Sequence, residues 1–136
     1  MRAILLATPL LLAAAGPATL DVTVTGIRST KGALSVCVMP DKTGFPACEK
    51  VGAATKQRVA ISGGTMQVRF TGLATRSYAI TAFHDEDGDG KLKTNFIGIP
   101  REGVGVSGSA GGIPSFSKSA IPVGPGTKVT LAMRYL

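Results

Sequence analysis

Tryptophan is absent from this 136-residue chain, and aromatic residues make up only 5% of it. Single-stranded nucleic acid is held by basic grooves with aromatic faces for the bases to stack on, so such a platform is excluded here. The charge balance does not alter that. Fifteen Lys and Arg against eight Asp and Glu give a formal +7, but bases such as Lys56, Arg58, Arg69 and Arg76 stand singly among other residues. They read as the outer face of a β-sheet, where Lys and Arg also discourage edge-to-edge association. Histidine occurs once and cysteine twice, so a thiolate- or imidazole-rich metal centre has no ligand set. No segment shows a helical period, an internal repeat or a low-complexity tail.

A long hydrophobic run is also missing. The longest, Ala3 to Ala15, is broken by Thr8 and Pro9 and falls short of the ~17–20 apolar residues needed to span a bilayer. With Met1-Arg2 before it and small residues after it, residues 1–18 have the pattern of a secretory signal peptide, cleaved after Ala15 or Ala18. The mature chain, 19–136, is then a single domain without a membrane span, expected in the periplasm or outside the cell. Loss of Arg2 takes its formal charge from +7 to +6. Export places Cys37 and Cys48 in an oxidising space, where the sole pair is expected to form a structural disulfide. A redox role would call for C-x-x-C spacing at a helix start, which this pair lacks.

After the leader the period is two. Leu20, Val22 and Val24 alternate with polar residues; Leu34, Val36 and Val38 share a face that Cys37 leaves. QRVAIS and TMQVRFT, around Gly63-Gly64, read as a hairpin. SYAITAFH, a weaker strand over about Phe116 to Val123, and TKVTLAMRYL complete seven strands. The predicted fold is all-β: an antiparallel seven-stranded Greek-key sandwich. Gly98 to Ser115, with six glycines and two prolines, is the one long stretch with no strand assigned.

Half of the acids fall within five positions, as Asp85, Glu86, Asp87 and Asp89. Alternate carboxylates at Asp85, Asp87 and Asp89 followed by Gly90 put hard oxygen donors on the inside of a tight loop, which suits calcium. The Lys91 carbonyl can add a ligand, Leu92 can anchor the loop, and Glu102 or Asn95 can complete the shell. An EF-hand is excluded: its twelfth position is Phe96, its ninth is Lys93, and no helix flanks the loop. His84, at the inner edge of the preceding strand, is expected to pin the loop by a hydrogen bond to backbone. Ser107 and Ser109, in GVSGSAG, do not form the G-x-S-x-G frame of a nucleophile elbow.

HDEDGDGKL (84–92), TNF (94–96), GIP (98–100), EG (102–103) and PSF (114–116) together resemble the secreted bacterial domain-of-unknown-function family 2141. The resemblance implies a transthyretin-like or immunoglobulin-like sandwich and brings no activity with it. The chain departs from the family's pattern at Lys93, where Asp is more usual. The reading of the whole is a non-catalytic, monomeric envelope module that binds calcium and an envelope or extracellular ligand, not nucleic acid. The alternative is a hydrolase using His84 and Glu102.

Overall fold

The structure, a computed structural model, describes residues 17–48, 52, 54–88, 102–108 and 114–135. The expected leader lies outside these residues except for its last two, and Ala18 already opens the first strand. Among the described residues there are eight strands and one helical turn: β1 (Ala18–Thr25), β2 (Ala33–Met39), β3 (Thr55–Ala60), β4 (Met66–Leu73), β5 (Arg76–Asp85), β6 (Gly103–Val106), α1 (Phe116–Ser119), β7 (Ala120–Val123) and β8 (Thr127–Ala132). They form two sheets. One has three strands in the order β4-β1-β8; the other runs β3-β2-β5-β6, and β7 also pairs with β5. β5 is long enough to hold two neighbours on one edge. Its first half, Arg76 to Ala79, pairs with β7, and Thr81 to His84 pairs with β6.

Period-two alternation builds the core. Leu20, Val22 and Val24 of β1 meet Leu34, Val36 and Val38 of β2, Phe70 of β4, Ile80 of β5 and Leu131 of β8 in a single apolar cluster. Each fully buried aliphatic side chain contributes about 1.5–3 kcal/mol. The odd residues of β2 face the other way. Cys37 and Met39 join Cys48 and Ala79 in a smaller cluster flanked by Phe45, Ala54 and Phe116. A disulfide joins Cys37 to Cys48, with 6.4 Å between their Cα atoms.

Five expectations need correction. There are eight strands among the described residues, not seven, because Gly103–Val106 is a strand within the glycine-rich stretch. Its glycines mark close approach of other chain segments: a Cβ on Gly103 would enter the Tyr135 ring, and one on Gly105 would lie 3.2 Å from the Ala132 carbonyl. Second, Gly63-Gly64 does not close a hairpin. β3 pairs with β2 while β4 pairs with β1, so residues 61–65 cross between sheets, and the Gly64 carbonyl accepts from Ile27 N–H at 3.1 Å. Third, β1 and β8 run parallel. Alternation determines which face a strand buries, not its neighbour or its direction. Fourth, residues 116–119 are a helical turn, because the Ser115 hydroxyl caps it by accepting from Lys118 N–H at 3.3 Å; the strand begins at Ala120.

The last correction concerns the C-terminal strand, which ends at Ala132. Met133 N–H still donates to the Thr25 carbonyl, but Arg134 exchanges backbone hydrogen bonds with Val104 of β6. The tail thus steps from the three-stranded sheet to the five-stranded one. That step carries Tyr135 to the end of β5.

Candidate metal centre at the end of β5

His84 and Asp85 close β5 side by side, yet their side chains serve different faces. His84 is wholly buried on the inner face. Its Nε2 lies 2.6 Å from the Lys31 carbonyl, which can only accept, so Nε2 carries the proton. In the neutral ring Nδ1 accepts from the Tyr135 hydroxyl at 2.8 Å, and that oxygen accepts from Arg28 N–H at 3.1 Å. His84 therefore ties the β1–β2 connection to the C-terminal tail. The backbone it bonds belongs to that connection, not to the acidic loop.

Asp85 sits on the outer face with no exposed surface. Its Oδ1 accepts from Gly88 N–H at 3.1 Å, which turns the chain out of the strand, and Arg58 of β3 lies 2.7 Å from Oδ2. Gly32 crosses directly behind it. A Cβ there would collide with the Asp85 carbonyl, and the backbone of Gly32 is left-handed at φ 69°. Glu86, the next acid, turns away. It accepts from Arg28 Nε at 2.8 Å and from Ser29 Oγ at 3.4 Å, and the Arg28 hydrogen bond holds its carboxyl below the usual carboxylate range. The Arg28 guanidinium also lies 4.3 Å from the centre of the Tyr135 ring. Burial pushes the Tyr135 hydroxyl above its ordinary pKa, and the nearby Glu86 charge adds to that.

Asp87 and Glu102 return to Asp85. β6 pairs Gly103 with His84, so the residue before β6 arrives beside the residue after His84. That register brings one carboxylate oxygen each from Asp85, Asp87 and Glu102 within 4.8 Å of one another. Two oxygens that share a calcium ion at about 2.3–2.6 Å can be at most about 5 Å apart, so this spacing fits one ion. All donors are hard oxygens, which suits calcium and excludes a soft-metal preference. Asp85 and Glu102 are buried and Asp87 is exposed, so the cluster opens outward on the Asp87 side.

Asp89, Gly90, Lys91, Leu92 and Asn95 lie outside the described residues. Arg58, Arg28 and Tyr135 were not singled out as site residues from the sequence. The alternation of β8 foretells an inward Tyr135, but nothing local marks either arginine.

A family model described as an uncharacterised protein conserved in bacteria (DUF2141) matches residues 22–130. The chain belongs to this family. Neither a curated protein nor a solved structure matches it.

Proposed function

We propose that the protein is a non-catalytic module of the bacterial cell envelope, exported as a mature monomer, whose acidic loop binds calcium. The observation that carries the reading is the convergence of Asp85, Asp87 and Glu102 oxygens within 4.8 Å. Asp89 and the Lys91 carbonyl are further ligands in this proposal, and Gly90, Leu92 and Asn95 shape the loop that presents them. The disulfide supports an extracytoplasmic location, and among the described residues no helix is long and apolar enough to cross a membrane. Cleavage of the leader after Ala15 leaves β1 whole, because Ala18 is buried and pairs with Leu73. The two-sheet arrangement supports assignment to the Greek-key sandwiches of transthyretin or immunoglobulin type. Against a hydrolase stands the engagement of both His84 ring nitrogens, with no exposed surface left for a substrate.

Three carboxylates this close repel one another until a cation arrives. Without a bidentate glutamate at the twelfth loop position, a dissociation constant of about 0.1–1 mM is expected, as for other extracellular modules. At 100-fold excess, calcium then stabilises the fold by about 2.7 kcal/mol through mass action. For a domain of this size that raises the melting temperature by roughly 8–10 °C. Magnesium does much less, since it demands tighter octahedral geometry. The test is a melting curve in calcium and in chelator at matched ionic strength, for the native chain and for Asp87→Asn with Glu102→Gln. A calcium response lost in the double variant is expected. Coincident native curves would refute the site.

A further inference from the structure

The outer face of the five-stranded sheet carries a depression whose origin lies in the strand register. Ser35 of β2 pairs with Arg58 of β3 on one side and Phe83 of β5 on the other. Side chains so paired stand about 5 Å apart at Cβ, so a serine between an arginine and a phenylalanine leaves a gap. The next row is Lys56, Cys37 and Thr81, and the Cys37–Cys48 disulfide walls that side. The resulting cavity is about 250 Å³, lined by Ser35, Cys37, Cys48, Lys56, Arg58 and Phe83 together with Gln57.

We infer that this cavity is a binding site for a small aromatic carboxylate, separate from the acidic loop. Volume limits the ligand first. A dry cavity of about 150 Å³ accepts benzene, so 250 Å³ accommodates one ring with a short acidic arm. Surface chemistry selects the body: Phe83 and the disulfide offer an apolar floor, and sulfur beside an aromatic ring is a favourable contact. Charge selects the arm. No acid lines the cavity, and its two cations, Lys56 and Arg58, project from the same face of the edge strand β3. Arg58 reaches Ser35 Oγ and Asp85 through Nη1 alone, so its Nε and Nη2 remain to meet a carboxylate in the paired geometry that guanidinium favours.

The site does not depend on the calcium reading and is tested in chelator. The oxidised mature protein is titrated with phenylacetate, with 2-phenylethanol as the neutral match and acetate as the ringless one, following backbone amide shifts by NMR. For ten heavy atoms in a small cavity a dissociation constant of about 0.1–1 mM is expected. The shifts should centre on Ser35, Arg58 and Phe83. The neutral and ringless probes should bind at least about tenfold more weakly, as should Arg58→Gln with phenylacetate. Because Arg58→Gln also leaves Asp85 without its partner, Ser35→Leu serves as a second variant. It fills the gap from the floor and should abolish binding with the melting temperature undiminished. No saturable shift up to about 10 mM phenylacetate, equal binding of 2-phenylethanol, or unchanged binding in Ser35→Leu would each overturn the assignment.

Discussion

Tyr135→Phe removes one oxygen from the end of β5, and its cost can be worked out bond by bond. The hydroxyl serves two partners. Arg28 N–H is exposed and can turn to water, so its loss costs little. His84 Nδ1 is different: the ring has no exposed surface, and its 2.8 Å bond to Tyr135 is the only partner that nitrogen has. A buried acceptor left unsatisfied costs about 1–3 kcal/mol. Phenylalanine keeps the edge-to-face packing on His84, at 5.8 Å between centroids, and keeps the ring under the Arg28 guanidinium. The expected loss is therefore about 2 kcal/mol, or a melting temperature lower by roughly 8 °C.

Chemical denaturation of the native chain, Tyr135→Phe, His84→Gln and the double variant isolates the bond. If the hydroxyl acts through His84, the two single costs overlap, with a coupling of about 1–2 kcal/mol. His84→Gln should itself be destabilising, since the Lys31 carbonyl loses a short donor. A Tyr135→Phe cost within about 0.3 kcal/mol of zero, or additivity in the cycle, would refute this account of the buried histidine.

Glu86 gives an acid-side signature. Its carboxyl is held below the ordinary range by Arg28, so the stability it contributes is fully present above about pH 4.5 and is lost as pH falls through the lowered value. The gap in melting temperature between the native chain and Glu86→Gln should close between about pH 6 and pH 3, and the half-exposed Arg28 limits it to less than about 1 kcal/mol. A gap that widens on acidification would contradict the pairing. The disulfide closes a separation of 11 residues, so Cys37→Ala with Cys48→Ala should cost about 3 kcal/mol in denaturant titration. A cost near zero would mean that the closed loop does little to restrict the unfolded chain.

Where face and period decide the outcome, the sequence is legible. The inward set of β2 and the outward Cys37 follow from alternation alone, as does the inward parity of Tyr78, Ile80 and Ala82. Partnering is not local information. Gly63-Gly64 has the chemistry of a tight turn, yet both flanking strands bury apolar faces that either sheet could use, and the long-range pairing of β4 with β1 prevails. GVGV reads as a breaker because glycine is poor in strands. Here the missing side chains are what let Tyr135 and the backbone after Leu131 approach.

At the candidate site the local half was legible and the distant half was not. Spacing alone proposes Asp85 and Asp87 as neighbours. Glu102 joins them only because β6 pairs with β5 in one register, and Arg58 reaches Asp85 from a strand 27 positions away. The concentration of acids in a basic chain also acquires a physical account once these partners are known. Glu86 is neutralised by Arg28 and linked through it to Tyr135; Asp85 is met by Arg58. The acids therefore do not act as one charge cloud. Glu86 fastens the β1–β2 connection, and Asp85 turns the chain out of β5. Asp87 and Glu102 sit beside Asp85, whose Oδ2 is already held by Arg58. A cation entering there competes with Arg58 for that oxygen, so calcium affinity should rise when Arg58 is replaced by a neutral residue even as the metal-free fold weakens. That opposition, tighter binding in a less stable protein, separates a metal site from a salt bridge whose only role is to hold two strands together.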